Sequence, residues 1–323
     1  MISKLVYRFR EAPGLPVSFL LMLVIFSVGK IGIDGFGGTQ TIKAVFLLGA
    51  FLGIASVGQT LVIILGGIDL SIPFVVGAAN VFVARLYGEG VPFLIAASSA
   101  ILISLIFGAL NAIVSVKNNI HPLLVTLGTG TALLGIVQLW TGGLPTGGAP
   151  KWLSRFVAIG ENTGSVPIPP LIFLWLFLTI IVIVLTRMTI FGHHLFAMGN
   201  APIAAELSLV KRLPVWIGAF GLSSVFSATA GILLLGFTGT AYADVGQRYL
   251  FLSVGAVVIG GTLVTGGKGG YLGTVIGSLT LTLLTAVFSG FGFNNSLQQV
   301  IMGVVVIAMA ATYGRDADVR NRV

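Results

Sequence analysis

The sequence predicts an all-α fold, a polytopic bundle of transmembrane helices with about ten spans and an internal repeat. Hydrophobic residues occupy 56% of the 323 positions and charged residues only 8%, whereas soluble domains carry about 25% charged residues. The few charges lie between long apolar stretches, and a span needs about 20 mostly apolar residues. Lipid must therefore solvate much of the chain, and lipid requires backbone groups to be satisfied inside helices.

Charge-free stretches locate the predicted spans. The first, Ala12–Gly29, follows Lys4, Arg8 and Arg10, and no clear small-residue cleavage site follows it, so we expect a retained span rather than a signal peptide. The other candidates are Ala44–Ile68, Ile72–Leu86, Gly90–Val116, part of Asn118–Pro150, Asn162–Thr186, Leu213–Ala243, Tyr249–Val264, and two spans within Gly269–Gly314 joined by a turn at Gly290–Asn295. If the short candidates 72–86 and 249–264 are re-entrant, eight or nine spans remain.

The distribution of Lys and Arg predicts the orientation, because cytoplasmic loops carry an excess of both. With the N-terminus inside, the inner side collects Lys4, Arg8, Arg10, Lys117, Arg187, Lys211, Arg212, Lys268, Arg315, Arg320 and Arg322. The outer side receives Lys30, Lys43, Arg85, Lys151, Arg155 and Arg248. We therefore expect both termini in the cytoplasm, an outer loop at Thr141–Pro169 and an inner loop at His193–Leu213 with a short helix over 202–209.

The chain resembles itself at an offset of 200 residues. When the sequence is aligned with itself at this offset, seven positions are identical: Phe51, Leu52, Val57, Gly66, Gly67, Val75 and Gly77 match the residues at 251, 252, 257, 266, 267, 275 and 277. Both copies read as span, Gly-Gly break, span, which predicts repeat halves 16–140 and 167–313 within one permease domain, 1–323. The expected hinges are Gly66, Gly67, Gly266 and Gly267. The predicted topology places both breaks on the same side, whereas inverted repeats would place them on opposite sides, and the sequence leaves this open.

The most informative stretch is 65–73, Leu-Gly-Gly-Ile-Asp-Leu-Ser-Ile-Pro, which brackets an acid between two spans. The glycines let the backbone leave the helical region, and Asp69 and Ser71 are suited to capping the following helix. An acid at membrane depth also needs a partner or water. Two interpretations therefore stay open: a cap and turn, or solute contact at a gating hinge.

Uncharged polar residues within the predicted spans suit contact with a hydroxyl-rich solute. The candidates for the substrate path are Gln59, Asp69, Ser71, Asn80, Asn111 and Thr126, with Thr129 and Gln138 as further polar positions. The alternative is that these side chains link helices to one another, at about 0.6 kcal/mol per contact.

The sequence has no motif typical of an enzyme, a metal-binding protein, a nucleotide-binding protein or a nucleic-acid-binding protein. Without cysteine the chain has no disulfide or thiolate site, and no Gly-x-Ser-x-Gly or His-Glu-x-x-His motif points to catalysis or metal binding. Gly260–Gly269 fails as a phosphate-binding loop, since Gly follows Lys268 where Ser or Thr is required. No basic patch has the aromatic interleaving of a nucleic-acid site. We expect no catalytic residue, metal or cofactor in this chain.

An ordered set of motifs resembles the ribose/galactose-type, simple-sugar permeases of ABC transporters. The segments are Gln59–Ser71, Gly108–Ala112, His121–Thr129, Phe191–Ala205 and Val257–Gly269, and they cover about 51–278. The acidic pair that family members often carry after a Tyr is absent here, where Tyr249 is followed by Leu250 and Leu252, and this leaves the identity of the solute open.

The resemblance implies a permease subunit of an ATP-driven importer in the bacterial inner membrane, with the lipid bilayer around it. It implies a periplasmic solute-binding protein, a second permease chain, identical or a sister, and ATPase subunits that hydrolyse ATP. Within the cytoplasmic segment 193–213, the implied ATPase-coupling residues are Asn200, Pro202, Ala204, Ala205, Glu206 and Ser208. The alternative function is a secondary transporter or channel for a small polar solute.

Overall fold

In the computed structural model, residues 14–294, 296–304 and 307 are described. The helices are α1 (Gly14–Gly32), α2 (Thr39–Ile64), α3 (Ile72–Gly88), α4 (Phe93–Lys117), α5 (Pro122–Thr141), α6 (Lys151–Phe156), α7 (Pro170–Met188), α8 (Ile190–Asn200), α9 (Pro202–Leu207), α10 (Arg212–Thr238), α11 (Tyr249–Ile259), α12 (Tyr271–Gly290) and α13 (296–304), with a short 3-10 helix, Ala243–Gly246, before α11. Between these helices the described residues form isolated β-bridges and turns, so the all-α prediction is confirmed.

Seven of the described helices are long and apolar enough to cross a membrane: α1, α2, α4, α5, α7, α10 and α12. The expected count of about ten is not confirmed. Helix α3 has 17 residues and α11 has 11, both fewer than the roughly 20 residues of a typical span. The second span predicted within 269–314 lies partly outside the described residues.

Helices α2 and α10 form the centre of the bundle. The apolar window of α2 is 94% buried and that of α10 is 78% buried, whereas the windows of α1, α4 and α5 are buried by 17–22%. The peripheral helices present apolar side chains such as Leu102, Ile106 and Ile180 outward. This arrangement is expected for a multi-pass membrane protein, in which lipid solvates the outer helices.

Glycines allow α10 to pack directly against its two main neighbours. A Cβ on Gly58 of α2 would lie 2.2 Å from the Cα of Ser223, and a Cβ on Gly108 of α4 would lie 2.2 Å from the carbonyl oxygen of Phe220. Small residues at such positions let helix backbones approach closely. This close packing against α2 and α4 fixes the positions of Ser223 and its neighbours on α10.

The two Gly-Gly breaks lie against each other. The amide of Gly267 donates to the carbonyl oxygen of Ile64 at 2.9 Å, and a Cβ on Gly266 would lie 3.0 Å from the amide nitrogen of Gly66. Both breaks therefore lie at one end of the bundle, as the predicted topology had it. We call this end, formed by 64–71, 118–122, 187–212 and 259–271, the break end.

The opposite end, formed by 88–92, 141–169 and 239–248, is called the loop end. Its segments are joined by a bridge between Gly148 and Thr240 and by a hydrogen bond from the Ala241 amide to the Gly147 carbonyl oxygen, 3.3 Å. The predicted inner residues Arg187, Lys211, Arg212 and Lys268 lie at the break end, and Lys117 lies directly before it. The predicted outer residues Lys151, Arg155 and Arg248 lie at the loop end, and Arg85 lies in the last turn of the helix that leads to it.

Candidate functional site

The break between α2 and α3 carries irregular backbone into the interior. Helix α2 closes with hydrogen bonds from the Gly66 amide to Ile63 and from the Gly67 amide to Val62, and Gly66 adopts φ +81°, a value that favours glycine. Buried backbone donors need partners, and the Leu70 amide finds one in the hydroxyl of Thr126, 2.9 Å away on α5. The break is therefore held by side chains of distant helices.

Asp69 is buried at the centre of this break and is only 2% exposed. Its Oδ1 accepts hydrogen bonds from the Ser71 amide at 2.9 Å and from the Ser71 hydroxyl at 2.5 Å. Its Oδ2 accepts one from the hydroxyl of Ser223 on α10 at 2.6 Å. Along the described chain no cation lies within ion-pair distance of Asp69, so these hydrogen bonds replace the water that the carboxyl group has lost.

The hydrogen bonds continue from Ser71 to two further helices. The side-chain amide of Asn111 on α4 donates to the Ser71 hydroxyl at 3.4 Å. The hydroxyl of Thr129 on α5 donates to Oδ1 of Asn111 at 2.7 Å. We call Ser223, Asp69, Ser71, Asn111 and Thr129 the Asp69 chain; it joins α10, the break, α4 and α5.

The expectation that Asp69 and Ser71 cap the following helix is wrong. Ser71 is the residue before α3 and Pro73 lies in its first turn, but no side-chain capping hydrogen bond forms. The Ser71 hydroxyl is instead bound to Asp69. The amides in the first turn of α3 need an acceptor, whereas the Ser71 hydroxyl donates to Asp69 and its oxygen accepts from the Asn111 amide.

Four of the six predicted path residues come together: Asp69, Ser71 and Asn111 in the Asp69 chain, and Thr126 beside it. Asn80 lies elsewhere, where its amide donates to the Gly231 carbonyl oxygen at 3.2 Å and accepts from the Tyr242 amide at 2.9 Å. Gln59 is fully buried on α2, and neither of its amide atoms has a hydrogen-bond partner. All six side chains are buried in this structure, and their contact with a solute stays a prediction.

Sequence reasoning missed Ser223. The sequence did contain a pattern that could have indicated it, because Ser223, Ser224 and Ser227 are polar residues clustered within a mostly apolar helix. Polar residues inside a span face the bundle interior or a cavity, but their partner was hidden because Asp69 lies 154 positions away.

The four predicted hinge glycines differ in their geometry. Gly66, Gly266 and Gly267 adopt positive φ values of 81°, 89° and 75°. Gly67 does not; a Cβ there would instead lie 3.2 Å from a Val62 methyl group and 3.3 Å from the Pro122 ring. Three of the four positions therefore need glycine for the backbone conformation, and Gly67 serves close packing.

Residues 193–200, predicted as loop, are helical, which corrects that expectation. Helix α8 begins after Thr189, whose hydroxyl accepts from the Gly192 amide at 3.2 Å, and it buries Leu195 and Met198. This cap and the buried face stabilise the helix. The segment is predicted as a loop because its polar residues make it too hydrophilic to lie in lipid. The short helix with Pro at its start is confirmed as α9, Pro202–Leu207.

The segment 200–209 projects from the break end, and we call it the projecting segment. Ile203, Leu207 and Leu209 are 77%, 81% and 88% exposed. The predicted coupling residues Asn200, Pro202, Ala204, Glu206 and Ser208 are also exposed, whereas Ala205 is buried with Met198, Val215 and Trp216. Sequence reasoning emphasised the polar residues, but three large apolar side chains are exposed beside them.

The projecting segment is anchored to both breaks by its neighbour Gly199. A Cβ at this position would lie 1.8 Å from the Ile64 carbonyl oxygen and 2.8 Å from the Gly267 amide nitrogen. A cavity of about 400 Å³ beside it is lined by His121, Met198, Pro202, Arg212 and Trp216, among others. Over the described residues, no group of three His, Cys, Asp or Glu side chains is placed to hold a metal ion.

A multi-pass helical bundle with glycine breaks and buried polar side chains gathered beside them is typical of membrane transport proteins. The chain belongs to the family described as branched-chain amino acid transport system / permease component, whose model matches residues 41–310. It is therefore a transport permease subunit, a class of protein that moves a solute and is not itself an enzyme.

Curated relatives narrow this class. The chain is 30% identical over 264 residues to the "Autoinducer 2 import system permease protein LsrD" of Klebsiella pneumoniae subsp. pneumoniae, covering 80% of this chain and 78% of the relative. It is 26% identical over 294 residues to the "Ribose import permease protein RbsC" of Haemophilus influenzae, covering 90% of both. No solved structure matches. The resemblance to simple-sugar ABC permeases that the motifs indicated is confirmed.

Proposed function

We propose that this chain forms the translocation path of an ATP-driven importer for a small, hydroxyl-rich, sugar-like solute in a bacterial inner membrane. A solute-binding protein delivers the solute at the loop end, near 141–169. A second permease chain, identical or a sister, completes the path. ATPase subunits bind at the break end, which faces the cytoplasm, and they hydrolyse the ATP.

The exposed apolar side chains of the projecting segment are the observation that carries this proposal. Three large apolar side chains at one water-facing end of a membrane protein are unfavourable unless a partner covers them. Leu209 also adopts φ +66°, which is uncommon for a non-glycine residue. The turn thus holds an apolar side chain outward at some conformational cost, as expected where a partner buries that side chain.

The solute class follows from the relatives and from the charges inside the bundle. Both relatives are named for import, one of ribose and one of autoinducer 2. Among the described residues Asp69 is the one buried side chain that carries a formal charge, and its hydrogen bonds are already made. Buried Ser, Thr, Asn and Gln side chains suit neutral hydroxyl groups better than the paired charges of an amino acid.

The test is uptake of labelled ribose and related polyols into proteoliposomes containing the chain, a solute-binding protein and ATPase subunits from the same organism. We expect uptake only with ATP and the ATPase present. Equal uptake without them would show a secondary transporter or channel and would overturn the proposal.

Leu209→Gly tests the docking surface separately. Glycine is suited to the positive φ of this turn, so the variant keeps the turn and loses only the side chain. Because burying a leucine contributes about 1.5–3 kcal/mol, we expect the amount of ATPase retained on the purified permease to fall by roughly tenfold or more. Leu144→Gly, at a 79% exposed leucine of the loop end, is the control and should retain the ATPase as the unmodified chain does.

A further inference from the structure

We propose that the Asp69 chain is the link through which movement of α10 reaches α5, with Ser223 as the positioning residue that connects Asp69 to α10. The inference rests on the proposed function, since it assigns the route by which the break end acts on the solute path. It also assigns a use to buried hydroxyl groups that have no partner in this structure.

Helix α10 is built to carry displacement from the projecting segment into the bundle. It begins at Arg212, three positions after Leu209, and Ser223 lies eleven positions further on, about 17 Å along the helix axis. A Cβ on Gly58 or Gly108 would meet α10 backbone or side-chain atoms at under 3 Å. Because α10 is so closely packed, a shift at its start cannot be absorbed within the first turns.

The Asp69 chain is the connection from α10 to the other helices of the break. The Ser223 hydroxyl on α10 donates to Oδ2 of Asp69, and the Ser71 hydroxyl donates to Oδ1. Ser71 in turn accepts from Asn111, which accepts from Thr129 on α5. These residues are buried or partly buried, so water does not replace a lost bond freely. Each contact with Asp69 comes from a neutral donor, and such hydrogen bonds exchange more easily than a buried ion pair does.

Helix α5, at the far end of the chain, borders open space. A Cβ on Gly128 or Gly135 would meet no atom within 4 Å, and the amide side chain of Gln138 on the same helix is exposed. An exposed amide is costly against lipid, although other parts of α5 present apolar side chains. We infer that this face of α5 borders the solute path, so that a movement of Thr129 changes the path.

Unpartnered hydroxyl groups on α10 and α4 point to a second arrangement of these helices. Ser224, next to Ser223, and Ser115, one turn beyond Asn111, are buried and have no hydrogen-bond partner. The Ser224 hydroxyl faces α4, since a Cβ on Gly108 would lie 2.6 Å from it. Buried polar groups are nearly always paired, and a shift of α10 along α4 would give the Ser224 hydroxyl new neighbours to pair with. Closely packed helices move between such discrete arrangements.

The first experiment measures solute imported per ATP hydrolysed in proteoliposomes with the ATPase and binding protein. For Ser223→Ala we expect ATP hydrolysis within about twofold of the unmodified chain and a ratio of solute to ATP at least about tenfold lower. Ser223→Thr, which keeps the hydroxyl, should restore most of the ratio. Ser227→Ala is the control, since Ser227 is buried on the same helix but its hydroxyl donates only to the Ser223 carbonyl oxygen.

An unchanged ratio in Ser223→Ala would overturn the inference. So would a parallel fall of hydrolysis and import that the threonine variant does not reverse, because that pattern is expected of a purely structural residue. A failure of the importer proposal looks different: the unmodified chain itself would then show no ATP-dependent uptake.

Ser224→Ala provides a second test that does not depend on a destabilised variant. It removes an unpaired buried hydroxyl, so the purified protein should melt at the same temperature or higher. We expect uptake to slow by at least about fivefold, because the second arrangement loses a hydrogen bond. Uptake at the original rate in a fully folded Ser224→Ala protein would contradict the second arrangement.

Discussion

Single glycines decide how the break end is assembled. Gly267 lies at φ +75°, donates its amide to Ile64, and leaves no room for a side chain, since a Cβ would lie 2.7 Å from the Cα of Asn200. The position combines a backbone conformation that favours glycine with close contact to the segment preceding α9. A methyl group here would push apart the two breaks and the projecting segment.

Gly267→Ala should therefore lower the free energy of unfolding by about 2–5 kcal/mol, the sum of overpacking and an unfavourable positive φ. Gly128→Ala is the matched control, because its Cβ would meet no atom within 4 Å and alanine favours the helix. Denaturant-induced unfolding in mixed micelles measures both variants. Equal stability of the two would show that the breaks are not closely packed.

At the scale of helices, polar side chains tie α2, α7 and α12 together. The indole nitrogen of Trp175 donates to the hydroxyl of Tyr271 at 3.1 Å, and that hydroxyl donates to the Gly53 carbonyl oxygen at 2.9 Å. A second tie joins the hydroxyls of Thr60 and Thr274, 2.8 Å apart. All of these side chains are buried. Their hydrogen bonds therefore set the relative orientation of three helices whose apolar surfaces would allow several orientations.

Tyr271→Phe removes one hydroxyl from this cluster and leaves the Trp175 indole N–H buried without a partner. We expect a loss of about 1–3 kcal/mol in stability, seen as a lower midpoint in thermal unfolding in detergent. Tyr242→Phe, at an exposed tyrosine near the loop end, should keep the midpoint unchanged. If the Tyr271→Phe and Tyr242→Phe proteins had the same unfolding midpoint, the Trp175–Tyr271 hydrogen bond would not contribute to helix packing.

At the scale of the whole molecule, the ends of the bundle have distinct characters. The break end carries the glycine breaks, the projecting segment and the cavity, and the loop end carries the loops around α6. The distribution of Lys and Arg predicts that the break end faces the cytoplasm. The natural absence of cysteine makes this orientation directly measurable.

Single cysteines at exposed serines report the orientation. With a membrane-impermeant maleimide applied to spheroplasts, the Ser165→Cys variant should be labelled and the Ser208→Cys variant should not. After permeabilisation both should react, because both serines are exposed. The reverse pattern would invert the topology and would place the projecting segment outside, away from any ATPase.

The predictable part of the site was the break itself. Gly66, Asp69 and Ser71 form a local pattern whose chemistry can be interpreted without knowing the fold, and four of the six path candidates do come together. Gln59 and Asn80 were chosen by the same criterion, a polar side chain in an apolar span, and they lie apart from the Asp69 chain. The criterion says that a side chain faces inward, but it does not say which neighbour it meets.

Bilayer thickness and backbone hydrogen bonding impose length and composition on each segment, so the amino-acid sequence is enough to predict the membrane class, the all-α fold, the long helices and the two breaks. Three features required the packed helices: the contact between the breaks, the hydrogen bond from Ser223 to Asp69 and the exposure of the apolar side chains of the projecting segment. These features depend on the rotation of each helix about its axis. The central helices are apolar on nearly every side, so periodicity does not reveal which face meets which, and only packing places Ser223 beside Asp69.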